Sequence, residues 1–127
     1  MEDQIRKNLD HLHKLLAKGG FLEAMETYLH ENVELREANW DPKKGKQFNI
    51  AFEDNFIKTQ VKEFIRYDAK NTAVSGNNSY YTAVMELKLN DGSTMLSEQV
   101  AATQWKDNKI YIERYYHAKF VSIKGTK

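Results

Sequence analysis

Apolar residues fall at three- and four-residue steps in the first half of the chain and at every second residue in the rest. Ile5, Leu9, Leu12, Leu15 and Leu16 form the stripe of one amphipathic helix. Gly19-Gly20 ends it, because glycine takes the left-handed geometry of a helix end at little cost. Phe21, Leu22, Met25 and Leu29 predict a second, shorter helix ending near Glu31-Asn32. Val33-Glu34-Leu35-Arg36-Glu37 alternates as a short strand. Asp41-Pro42 opens a loop with Lys43, Lys44 and Lys46, read as solvated, and Phe48, Ala51, Phe52, Phe56 and Ile57 predict a third helix over about residues 45–59. After Gln60 the period is two, so four strands are expected near residues 61–75, 79–89, 94–105 and 110–121. Helix, helix, strand, helix and a four-strand meander make a single α+β domain over residues 1–127.

The turns between those strands set an expected register. Gly76-Asn77-Asn78, Asp91-Gly92 and Asp107-Asn108 are the turn candidates, and Asp-Gly favours a two-residue hairpin because both central positions need positive φ. With Asp91-Gly92 central, Met85 faces Glu98, Ala83 faces Val100 and Tyr81 faces Ala102. With Asp107-Asn108 central, Trp105 faces Ile110, Ala102 faces Glu113, Val100 faces Tyr115 and Glu98 faces His117. Alternation then gathers Tyr81, Ala83, Met85, Leu87, Glu98, Val100, Glu113, Tyr115 and His117 on one face, to be covered by the helices. Ionisable groups on a core face need partners or a wet cavity, so this cluster reads as the floor of a polar-lined pocket with an expected Glu98–His117 pair. The opposite face carries Trp105, Tyr116, Tyr80, Ile110, Ile112 and Arg114, a mixture suited to an interface, so a homodimer through Trp105, Ile112, Arg114 and Tyr116 is expected.

Composition narrows the function. Nineteen Lys and Arg against 18 Asp and Glu leave a formal charge of +1, which argues against a nucleic-acid binder that neutralises many phosphates. The same balance gives no attraction to an anionic membrane, and no apolar run is long enough to span one. With no cysteine, thiolate chemistry and cysteine-ligated zinc are excluded. The polar start MEDQIRKNLD is unlike a signal peptide, which makes the cytoplasm the expected compartment. His11, His13, His30 and His117 show no metal-site spacing, and no dinucleotide or phosphate motif is present, so neither metal nor cofactor is expected.

The element order resembles that of the SnoaL-like members of the nuclear transport factor 2-like superfamily. The resemblance rests also on Glu23-Ala24-Met25-Glu26-Thr27-Tyr28-Leu29-His30-Glu31-Asn32-Val33-Glu34-Leu35, on Trp105-Lys106-Asp107-Asn108-Lys109-Ile110, and on Glu113-Arg114-Tyr115-Tyr116. It implies a cone in which a strongly curved, mixed or antiparallel sheet wraps around three helices and leaves a cavity at the open end. In the isomerase-like members of that superfamily a carboxylate ending the first strand is the general base, and Glu37 stands at that position. The isomerase pocket positions of the last strand match Glu113, Tyr115 and His117. Leu12 stands where those isomerases carry a first-helix tyrosine, and their protonated carboxylic acid has no clear equivalent, so steroid isomerisation itself is not implied.

Two functions follow as expectations. The first is an isomerase, cyclase or dehydratase acting on a small hydrophobic carbonyl compound by carboxylate–His acid–base chemistry. Glu37 would be the base, with Glu113 and His117 on the acid side. Glu98, Tyr81, Tyr115, Val100 and, at the mouth, Trp40 would shape its pocket. The second is a non-catalytic binding or dimerisation module, in which these groups only satisfy one another.

Overall fold

The computed structural model describes residues 1–37 and 40–124, with side chains up to Ala118 among them. Helix α1 (Glu2–Ala17) buries Ile5, Leu9, Leu12 and Leu15, the stripe expected from its spacing. Gly20 starts the chain into α2 (Phe21–Tyr28), and a side chain there would meet the Leu15 carbonyl oxygen at 3.0 Å. Strand β1 (Leu29–Glu37) begins four residues earlier than the alternating run. Leu29 and Val33, both buried, lie four apart, a spacing that fits a helix as well as this irregular strand. A two-residue strand, β2 (Lys43–Lys44), pairs with Glu34 and Leu35 where only a loop was expected. Helix α3 (Lys46–Gln60) follows, then β3 (Val61–Ser75), β4 (Asn78–Leu89), β5 (Ser93–Lys106) and β6 (Lys109–Lys124).

The six strands form one open mixed sheet in the order β2-β1-β6-β5-β4-β3, in which β1 and β6 run parallel and the other neighbours antiparallel. Three helices against this sheet give the expected α+β cone. Its core joins the α1 stripe to Ala24, Tyr28, Val33, Tyr67, Tyr81, Trp105 and Ile110. Among the described residues no helix is long and apolar enough to cross a membrane.

The β4–β5 register differs from the expectation by one residue. The Gly92 N–H donates to the Leu89 carbonyl at 3.0 Å and Gly92 has φ 88, so a turn followed by a left-handed glycine makes a three-residue loop, not a two-residue one. Met85 therefore faces Ser97 and Tyr81 faces Ala101. Because side chains alternate, this slip exchanges the faces of β5. Ser97, Ala101, Thr103 and Trp105 are buried on the helix side, while Glu98, Val100 and Ala102 lie on the outer side. Trp105, expected in an outer interface, is 3% exposed and donates its indole N–H to the buried Ser79 hydroxyl at 2.8 Å.

The β5–β6 turn is the expected one. Asp107 and Asn108 both have positive φ, and Trp105 faces Ile110. A register shift just beyond, at Tyr111, then sets Thr103 opposite Glu113 and Ala101 opposite Tyr115. Glu113 and Tyr115 thus remain on the helix side, but with different neighbours on β5.

A carboxyl-lined cavity as the candidate functional site

A cavity of about 200 Å³ lies between the helices and the sheet. Leu12 and Leu16 from α1, Phe21 and Met25 from α2, and Leu29 and Leu35 from β1 give it apolar walls. Its sheet side carries Tyr67, Tyr81, Gln99, Glu113 and Tyr115, and Glu37, Lys43, Phe52 and Glu53 also line it. Phe52 is 43% exposed and marks the mouth.

Backbone pairing explains why the acidic groups meet. The parallel β1–β6 ladder sets Leu35 beside Glu113 and Glu37 beside Tyr115, and the β5–β6 ladder sets Thr103 across from Glu113. Glu113 is 5% exposed, and both of its carboxyl oxygens accept hydrogen bonds, one from the Thr103 hydroxyl at 2.5 Å and one from the Tyr115 hydroxyl. Burial pushes the Glu113 carboxyl above its ordinary range, and these two donors offset only part of that. Burial also pushes the Tyr115 hydroxyl well up, and the Glu113 and Glu37 charges reinforce it. Tyr67 and Tyr81 line the same wall of the cavity, and burial raises both phenols. Behind Tyr81, His13 of α1 packs edge-on at 4.4 Å between ring centroids, with its Nε2 buried and without a hydrogen-bond partner.

Four of the expected site residues therefore line the cavity: Glu37, Tyr81, Glu113 and Tyr115. Glu98 does not. It is exposed on the outer face, with Lys119 across the ladder, and Gln99 rather than Glu98 stands across from His117. His117 is exposed, outside the cavity lining, and its Nδ1 lies 3.4 Å from the Ser97 hydroxyl. Val100 lies on the outer face. Trp40 is 62% exposed and outside the lining, and it reaches the mouth only through Lys43, whose ammonium lies 5.8 Å from its ring.

Sequence reading missed Glu53, Tyr67, Gln99 and Lys43. Glu53 lies one turn after Asn49, the only residue buried on α3, and this spacing was the available signal. Asn49 donates to the carbonyls of Lys43 and Gly45, which pins the start of α3 and with it the direction of β2. Burial raises the Glu53 carboxyl, Lys43 opposes that shift, and the charge of Glu37 adds to it. The lysine run is not simply solvated: Lys46 donates to the Glu26 carbonyl at 2.8 Å, and Lys43 places its ammonium 4.2 Å over the Phe52 ring. Among the described residues no three His, Asp or Glu side chains are grouped to hold a metal ion.

No family model matches the chain, and no curated protein matches it in sequence. Solved structures match it in fold. A candidate SnoaL-like polyketide cyclase from Mesorhizobium loti superposes with a TM-score of 0.76 at 19% identity, over 88% of this chain and 97% of that one. A hexachlorocyclohexane dehydrochlorinase of type 2 gives 0.75 at 13% identity, over 98% and 89%. An epoxide hydrolase from M. tuberculosis gives 0.74 at 8% identity, over 91% and 84%. Proteins that act on small molecules thus share this fold.

Proposed function

We propose that this chain, whose fold is that of the SnoaL-like, nuclear transport factor 2-like and ketosteroid isomerase-like proteins, binds a small hydrophobic carbonyl compound and moves a proton on it. Isomerases, cyclases and dehydratases work in this way. The observation that carries the proposal is one apolar cavity shared by Glu37 and the buried Glu113 on adjacent strands. Glu37 is the proton acceptor. Tyr115, once its O–H turns from Glu113 to the substrate, and the neighbouring Tyr67 and Tyr81 supply the hydrogen-bond donors for an oxygen that gains charge as the proton leaves. The acid–base pair is carboxylate with tyrosine, because His117 lies outside the cavity lining.

The test is deuterium exchange next to the carbonyl of small cyclic ketones and enones, followed by nuclear magnetic resonance. Glu37→Gln is expected to lower an accelerated exchange rate by about 10²–10⁴-fold, the range of general base catalysis. Tyr115→Phe is expected to cost about 10²-fold or more, the effect of losing one donor to a developing oxyanion. Exchange unchanged in both variants would remove Glu37 and Tyr115 from the chemistry.

The outer sheet face is proposed to carry a second copy of this chain. Its exposed Tyr80 and Tyr116 flank a groove containing Arg114 and Ala102, with Ile112 and Val100 on the same face. Trp105 takes no part, being buried in the core.

A further inference from the structure

We propose that the mouth of the cavity is a binding site for an organic ammonium group, formed by the rings of Phe52 and Trp40 with the carboxyls of Glu53 and Glu37. The ligand is then a hydrophobic compound that also carries a basic nitrogen. This rests on the reading of the cavity as a ligand site and adds the charge of the ligand to it.

The main observation is the place of Lys43. Its ammonium already lies 4.2 Å from the centre of the Phe52 ring and 5.8 Å from that of Trp40, within the range where a cation is attracted by an aromatic face. Glu53 and Glu37 lie in the same stretch of the lining, close enough for their charges to act on one another. The chain thus fills its own mouth with a cation between aromatic and acidic groups. Lys43 sits on the two-residue strand β2, and its long flexible stem lets the ammonium leave for solvent without moving the backbone.

The charge of the lining supports the same ligand. Glu37, Glu53 and Glu113 come from three different elements, and Lys43 is the one basic residue in the described lining. If Lys43 withdraws, the mouth has acidic groups and open rings and no cation. An anion would be repelled there, a neutral molecule would gain nothing, and an ammonium would be attracted. Attraction to the molecule as a whole does not explain this, since its formal charge is +1. Size limits the apolar part. A cavity of roughly 150 Å³ accepts benzene, so the 200 Å³ here fits a single ring with a short substituent.

Three probes of matched shape test the proposal: benzyltrimethylammonium, neopentylbenzene, which is its uncharged counterpart, and phenylmethanesulfonate. Binding is followed by calorimetry and by amide and indole signals, which also report that each variant is folded. The cation is expected to bind about tenfold tighter than the neutral probe, equivalent to one cation–π contact with a nearby carboxylate. The anion should bind least. Glu53→Gln should remove most of the margin between cation and neutral probe, and Lys43→Met should widen it by freeing the rings. If all three probes bind alike, or if the margin ignores both substitutions, the ammonium site is wrong and the cavity reading stands. If no probe binds, the cavity reading fails and the ammonium site fails with it.

Discussion

Glu113 shows how one residue responds to its surroundings. In the folded chain its carboxyl is held above the ordinary glutamate range by burial, so the native state keeps this proton to higher pH than the unfolded chain. The stability it contributes is complete below the unfolded value of about 4.3 and is lost as pH rises from there toward the native value. Glu113→Gln abolishes that titration. Urea unfolding between about pH 4 and pH 8 should therefore show the variant gaining stability on the parent as pH rises, on top of a constant offset from its altered hydrogen bonds. A difference independent of pH would mean that Glu113 is not held above its ordinary range. At this scale the sequence was informative where simple alternation governs. Glu37 follows Val33 and Leu35, and Glu113 and Tyr115 share a strand face, so all three were placed in the cavity from their spacing and resemblance. Glu53 was not, because α3 buries only Asn49 and offers no apolar stripe that separates its inner from its outer side.

At the scale of elements, every helix and long strand was legible, while register was not. One loop explains most of the error. The Asp91-Gly92 pair is compatible with a two-residue or a three-residue hairpin, and only the hydrogen bond from Gly92 to Leu89 decides. The consequence reached Glu98, Val100 and Trp105, which all exchanged faces. The second cause is the register shift at Tyr111, which no turn signal announces. Gly92→Ala places a side chain on a residue of φ 88 and should cost about 1–2 kcal/mol in urea unfolding. Deleting Asn90 leaves Asp91-Gly92 as a two-residue loop with Lys88 still across from Thr94, so Glu98 and Trp105 should keep their faces and the cost should be that of the lost Asn90 hydrogen bonds to Gln60 and Thr59. Indole fluorescence showing Trp105 exposed in the folded deletion variant would mean that the loop length does not set the register in this way.

At the scale of the whole molecule, the proposed pairing of two copies through the outer face can be tested at Tyr116. Tyr116 is 55% exposed beside the Arg114 groove, so Tyr116→Glu should leave a monomer where the parent sediments as a dimer. A parent that sediments as a monomer at all concentrations would remove the second copy from the proposal. The cone itself was legible, because the number and order of elements limit how one apolar helix layer can cover one sheet.

The parallel pairing of β1 with β6 has a further consequence. Leu35 and Glu37 must wait for Glu113 and Tyr115, which lie more than half the chain away. During synthesis the helices, the β1–β2 pair and the β3–β4 and β4–β5 hairpins can form from neighbouring residues, but the β1 edge that carries Glu37 lacks its parallel neighbour until β6 has left the ribosome. Contacts so distant in sequence are slow to close, so the β1–β6 side of the cavity should form after the hairpins. A chain stalled before β6 would present the edge of β5 unpaired and carry Glu37 without the strand that gives it a site.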